Sequence, residues 1–189
     1  FFFKQKTAYE IPKRDWSSDV CSSDLYANYN SDLTRTIPVN GRFTKRQRQV
    51  YEAVLRALRA QIAGLTIGKR WKEWQKEAEA HIEKELVDLG LLKAAKVKKQ
   101  NKDEPLLKKY FMHGVGHPLG LDVHDYGLIT EPFAAGWVMT VEPGIYIPDE
   151  GFAVRLENDV LITENGPRDL MADIPIEIGA IESLMAKKR

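Results

Sequence analysis

Three of the four histidines in the chain, His113, His117 and His124, fall within twelve residues, inside the segment HGVGHPLGLDVHD. Imidazole is the common choice for holding a divalent ion or shuttling a proton near neutral pH, so the cluster could serve either end. His113 and His117 are four apart, but Gly114 and Gly116 between them and Pro118 after them argue against a helical zinc site of the HExxH kind. A Gly-rich loop or strand end is expected instead, and such backbone lets a ligand approach closely. Taken alone, the cluster is equally compatible with histidines hydrogen-bonded for structural reasons. Carboxylates stand nearby in sequence patterns of their own. Glu142 ends the β-branched run VMTVE and meets Pro143-Gly144, so a strand delivers an acid to a turn. In FAVRLEND, alternation puts Phe152, Val154 and Leu156 on one face and Ala153, Arg155 and Glu157 on the other. A surface salt bridge is the plain alternative for Arg155 and Glu157. Asp32, Thr34 and Thr36 form a polar strand face that solvent exposure would equally explain, and His81, on a charged helix face, is expected to be solvated.

The elements that would position these groups can be read from periodicity. Residues 32–39 alternate as a strand, with Leu33, Arg35, Ile37 and Val39 opposite the polar face, and Asn40-Gly41 supplies a turn. Thr44 and Gln47 make a capping box for a helix whose apolar stripe is Val50, Val54, Leu58 and Ile62. Gly64 to Gly68 breaks it. A second helix carries Trp71, Trp74, Ala78, Ile82 and Leu89 and ends near Gly90, which suits a left-handed cap. Residues 93–109 hold seven lysines and no aromatic interleaving that would stack bases, so a solvated loop is expected there. Short β-like runs follow at 110–113, 138–142 and 152–163, and a closing helix at about 177–187. Interleaved strands and helices of this kind point to an α/β or α+β domain.

Bulk properties narrow the classes. With 43% hydrophobic and 29% charged residues, the 189-residue chain has the apolar material for one globular domain. A formal charge of +1 gives no field directed at nucleic acid or an anionic membrane, and no apolar run approaches a bilayer span, so a soluble, cytoplasmic protein is expected. The single cysteine, Cys21, excludes an internal disulfide framework and a cysteine-based zinc cluster. Residues 1–25 show neither helical nor strand periodicity and resemble translated sequencing-adapter read-through. They are read as a non-native or disordered leader, ahead of one domain over residues 26–189.

Four segments in order, DLTRTIPVNGRFTKRQRQVY, HGVGHPLGLDVHD, VEPGIY and RLENDVLIT, closely resemble aminopeptidase P and its relatives prolidase and methionine aminopeptidase. The resemblance implies the α+β pita-bread fold, here amino-terminally truncated, with a curved antiparallel sheet flanked by helices around two divalent metal ions. It assigns Asp32 as a bridging ligand, His117 as the histidine ligand, and Glu142 and Glu157 as the glutamate ligands. Manganese is what this branch implies, and an oxygen-rich shell with one imidazole also suits cobalt, iron or zinc. Glu142 then corresponds to the general base, His124 to the group hydrogen-bonding the tetrahedral intermediate, and His113 to a pocket histidine near the proline carbonyl. Arg155 and Tyr146 correspond to groups that orient the ligands. The family's first aspartate ligand lies eleven residues before the bridging aspartate, and Cys21 occupies that position here. The implied activity removes an amino acid lying before proline, so the partners are peptides with proline second. A prolidase restricted to dipeptides is the rival within the class. With four of the five ligands, this chain is expected to bind two metals poorly and to hydrolyse little. If the first aspartate ligand is truly absent, the alternative is an inactive pita-bread binding module; retention of Asp32, His117, Glu142 and Glu157 argues against that and against creatinase-like chemistry. Homodimers are common in this family, and dimerisation here is an expectation by analogy only.

Overall fold

The computed structural model describes residues 27–101, 103–127 and 130–186. The leader expected at residues 1–25 lies outside the described residues. Two long helices come first. The chain turns at Gly41, whose φ of 79° favours glycine, and Thr44 and Gln47 close a reciprocal capping box at the start of helix α1, Lys45–Gly64. Val50, Val54 and Leu58 of the expected stripe are buried, with Ile62 packed at its margin. Helix α2, Trp71–Asp88, buries Trp74, Ala78, Ile82 and Leu86, and is locked to α1 by the Trp74 indole N–H, which donates to the Gln61 carbonyl at 3.0 Å. Aliphatic side chains the size of Ile82 and Leu86 contribute roughly 1.5–3 kcal/mol each when fully buried. Gly90, at φ 76°, ends the helix as its sequence predicts.

The lysine-rich stretch is less of an open loop than expected. It contains a short helix α3, Ala94–Val97, and a 3-10 turn, Leu106–Lys109, whose Lys108 and Lys109 pair with Glu79 and Asp149. Among the described residues five strands follow: β1 Val138–Val141, β2 Gly144–Ile147, β3 Phe152–Arg155, β4 Asn158–Thr163 and β5 Gly166–Asp169. All pairings are antiparallel. They form a three-stranded sheet in the order β1-β4-β5 and a β2-β3 hairpin. Helix α4, Ile178–Ala186, closes on α1, where Glu182 accepts from the Phe43 N–H and pairs with Arg48. Met139, Val141, Val160, Ile162, Ile145 and Val154 share one core with the buried face of α1.

The expected single sheet is thus two ladders, and the place where they part positions the site. β1 pairs with β4 from Val138↔Leu161 to Val141↔Asn158, and β2 pairs with β3 from Gly144↔Arg155 to Ile147↔Phe152. Both ladders keep the same register. Carried across the gap, it sets Glu142 opposite Glu157 and Pro143 opposite Leu156. Like charges directly opposed destabilise a ladder, and a proline has no N–H to give it. The backbone bonds are redirected accordingly: the Glu142 N–H donates to Val115, the Glu157 N–H to Thr34, and only the Leu156 N–H reaches across, to Pro143 at 3.3 Å.

Two expected strands are absent as strands. Residues 32–39 make one isolated bridge, Thr34↔Glu157, because the edge they meet is this irregular junction. Residues 110–113 follow the 3-10 turn and offer the sheet a single bond, from the Tyr146 N–H to the Tyr110 carbonyl at 2.9 Å.

Candidate metal centre

The Gly-rich histidine segment runs along β1 as an irregular extra strand. Alternate residues bond to it: the Leu119 N–H donates to Val138, the Thr140 N–H to His117, and the Glu142 N–H to Val115. Gly116 is what allows this approach, since a Cβ there would lie 1.9 Å from the Thr140 carbonyl oxygen. Thr140 then fixes His117 twice, its hydroxyl accepting from the His117 N–H at 2.9 Å and its own N–H donating to the His117 carbonyl at 2.8 Å.

The His117 ring is oriented by its Nδ1, which lies 3.0 Å from the Pro118 carbonyl. A carbonyl only accepts, so Nδ1 carries the proton and Nε2 presents its lone pair to the site. Facing Nε2 are an Asp32 carboxylate oxygen at 3.5 Å and a Glu142 oxygen at 3.7 Å. Asp32, His117 and Glu157 each offer a ligand atom within 4.8 Å of the others. Glu157 is 2% exposed and accepts a short hydrogen bond from the Thr34 hydroxyl. The Asp32, Thr34 and Thr36 face therefore turns inward, and its partner face carries the exposed Leu33, Ile37 and Val39, the reverse of the burial that alternation alone suggests. Thr36 clamps the Arg155 main chain, and Arg35 donates to the Glu157 carbonyl at 2.8 Å.

The remaining expected groups sit around this cluster. Arg155 donates to the Thr34 hydroxyl at 3.3 Å, so it and Glu157 share one partner and are not a solvent-facing pair. The Tyr146 O–H donates to His113 Nε2 at 2.9 Å, because His113 Nδ1 is committed to the Gly114 carbonyl. His124 is exposed, its ring 4.2 Å from that of His117. His81 differs from expectation: it is half-buried, 3.5 Å from Glu85, and its Nε2 is buried. Cys21 lies outside the described residues.

Two residues at the site were missed by sequence reading. Thr140 has been described. Asp159 is 2% exposed and its carboxylate accepts from the Asp32 backbone N–H at 3.1 Å. The alternation that pairs Arg155 with Glu157, extended by one more step, would have put Asp159 on the same face.

Crowding of acids in a dry site shows in their proton affinities. Burial, then the Glu157 charge, pushes the Glu142 carboxyl up to about 7. Burial likewise lifts Asp159 to about 7, against its hydrogen bond from Asp32. Glu157 is raised by burial and by Asp32, the Thr34 bond opposing. For His117, burial works downward but is outweighed by Asp32, the Pro118 carbonyl and Glu142, so its pKa is raised. Folded-state values above the unfolded ones mean that the folded protein holds these protons more tightly. That stability is complete below the ordinary carboxylate range and is lost as pH climbs through about 7. His113, lowered chiefly by burial, and the exposed His124, lowered by partial desolvation of its ring and by His117, act in the opposite sense near their ordinary 6.5. The four raised groups outnumber them, so the metal-free protein is expected to melt lower near pH 8 than near pH 5, with Mn2+ restoring the loss. Melting curves that rise over that interval without metal would contradict the assignment.

Three acids and one imidazole with its lone pair turned inward are a donor set that fits a divalent cation. Glutamates set opposite each other in one register are tolerated where a cation lies between them. The sequence profile of metallopeptidase family M24 matches residues 9–164, and the chain belongs to that family. Among individual relatives, the Xaa-Pro aminopeptidase of Haemophilus influenzae is 41% identical over 175 residues, covering 85% of this chain and 40% of that protein. Human Xaa-Pro aminopeptidase 3 is 39% identical over 178 residues, covering 88% and 34%. A solved structure of zinc-substituted Escherichia coli aminopeptidase P in complex with product superposes with a TM-score of 0.76 at 37% identity, covering 86% of this chain and 40% of that one. The fold is therefore the α+β pita-bread fold of aminopeptidase P, and the chain spans well under half the length of these relatives. Among the described residues, no helix is long and apolar enough to cross a membrane.

Proposed function

We propose that this chain carries the metal centre of an Xaa-Pro aminopeptidase, which hydrolyses the bond between an N-terminal residue and a following proline. The observation that carries this reading is the shared register setting Glu142 opposite Glu157, with Asp32 and the His117 lone pair completing the ring. Asp32, His117, Glu142 and Glu157 would hold two divalent ions, most naturally manganese, with cobalt, iron or zinc chemically admissible. Such ions supply Lewis acidity, polarising the scissile carbonyl and making water nucleophilic at neutral pH. Glu142 takes the proton of the attacking water and returns it to the departing proline nitrogen. His124 donates to the oxyanion, and His113 lies toward the proline carbonyl. Arg155 and Tyr146 hold the carboxylates and His113 in register. The substrates are peptides with proline second. A cytoplasmic setting and a homodimer belong to the same reading, as does the boundary of the catalytic domain at residue 26.

The decisive assay offers the Mn2+-loaded protein an Xaa-Pro-Xaa peptide, its Xaa-Ala-Xaa counterpart and an Xaa-Pro dipeptide. Release of the first residue from the proline-bearing peptide alone is expected. Preference for the dipeptide would make it a prolidase, and bound metal without turnover on any of them would favour a binding module. The resemblance places a fifth ligand where Cys21 stands, so calorimetric titration is expected to find one tight Mn2+ and a second, weaker one. Turnover should follow the weaker. Two equally tight ions would contradict the idea that position 21 costs the centre a ligand.

A further inference from the structure

A buried carboxylate with one hydrogen bond is a costly thing to keep in a strand. Asp159 is such a group: Oδ2 accepts from the Asp32 N–H at 3.1 Å, while Oδ1 is buried with no hydrogen-bond partner among the described residues. Its place in the ladder suggests why it is kept. Asp159 stands directly opposite Thr140 in the β1-β4 pairing, so both side chains lie on one face of the sheet, the face of Glu157 and Glu142. Thr140 grips the main chain of His117 through its hydroxyl and its N–H. Asp159 grips the main chain of Asp32. One cross-strand pair therefore ties down the backbones of two ligands that come from distant parts of the chain, residues 32 and 117.

This matters most for Asp32. His117 has three further anchors in its own segment, through Val115, Leu119 and the Pro118 carbonyl. The Asp32 segment forms no ladder: it is held two residues before Asp32 by the Asn30 N–H, which donates to Gly120 at 2.8 Å, and after it by the Thr34↔Glu157 bridge and by Thr36 on the Arg155 main chain. Among the described residues, the bond to Asp159 is the one hydrogen bond that holds the Asp32 main chain itself.

We propose that Asp159 is a positioning residue of the metal centre: with Thr140 across the ladder, its carboxylate sets the depth at which Asp32 presents its own carboxylate to the ion. This rests on the metallopeptidase reading of the site. It acts through the accepted hydrogen bond, so the conservative replacement Asp159→Asn, whose amide oxygen still accepts from the Asp32 N–H, keeps the function, whereas Asp159→Ala and the fuller apolar Asp159→Leu lose it.

The test is calorimetric titration of the whole chain with Mn2+, with metal-free melting temperature as a check on folding. Asp159→Ala or Asp159→Leu is expected to weaken the tight ion by about 10–100-fold, and Asp159→Asn by no more than about threefold. In an Asp32→Ala background, removing Asp159 is expected to change affinity no further. Parent-like affinity in a folded Asp159→Ala or Asp159→Leu would overturn the proposal, as would an Asp159→Asn defect as large as theirs. If the two apolar variants do not fold, an Asp159→Asn loss above about threefold overturns the proposal by itself. Failure of the unaltered chain to bind Mn2+ would overturn the metallopeptidase reading itself and this proposal with it, which separates the two failures.

Discussion

Glu142→Gln is expected to lower Mn2+-dependent release of the first residue from an Xaa-Pro-Xaa peptide by roughly 10²–10⁴-fold, the range over which a positioned general base accelerates proton transfer. Glutamine keeps the shape of the side chain and one ligand oxygen but has no carboxylate to take a proton. The loss should fall on kcat, because substrate still meets the same pocket. The same substitution should do the opposite to the metal-free protein. Glu142 is driven up to about 7 by burial and by the opposed Glu157, so removing its charge relieves the site and raises the melting temperature above pH 7. Lost turnover joined to gained stability is a signature that a merely misfolded variant would not give. A Glu142→Gln enzyme retaining more than about a tenth of parent activity would remove Glu142 from the role of base.

Gly116→Ala is expected to be the most damaging single methyl in the chain. The added carbon would sit 1.9 Å from the Thr140 carbonyl oxygen, 2.8 Å from its carbon and 3.0 Å from the Trp74 ring. Two of those are backbone of a central strand, and Trp74 is fully buried and bonded to α1. None can yield. The histidine segment must lift from β1, breaking the Thr140 to His117 bond and carrying Nε2 away from Asp32. A loss of about 3 kcal/mol in urea unfolding is expected, at the upper end for overpacked sites, together with loss of the tight Mn2+. A variant with parent stability would mean that the segment does not lie on β1 as described.

The helices were legible from local patterns, and the strands and the residues of the site less so. The Thr44–Gln47 box, the Val50-Val54-Leu58 stripe and the Gly90 cap are local devices, and they formed as read. The strand at 32–39 failed because pairing needs a regular edge, and its only available partner is a junction where two ladders part. β2 and β5 went unread: each spans four residues, and Gly144 and Pro167 within them argue locally against strand. Asp32, Thr34 and Thr36 were legible as a polar face, but whether that face met water or a site depended on Glu157, 123 residues on from Thr34. The roles of Thr140 and Asp159 were invisible because each acts on another residue's main chain, an arrangement that no spacing along one strand records.

The most direct test of the metal centre is anomalous diffraction from crystals of the protein grown with Mn2+. The account predicts a peak enclosed by His117 Nε2 and the carboxylates of Asp32, Glu142 and Glu157, on the face of the sheet that carries Thr140 and Asp159. Crystals saturated with Mn2+ that show no ion against His117 Nε2, or place it elsewhere on the molecule, would contradict it.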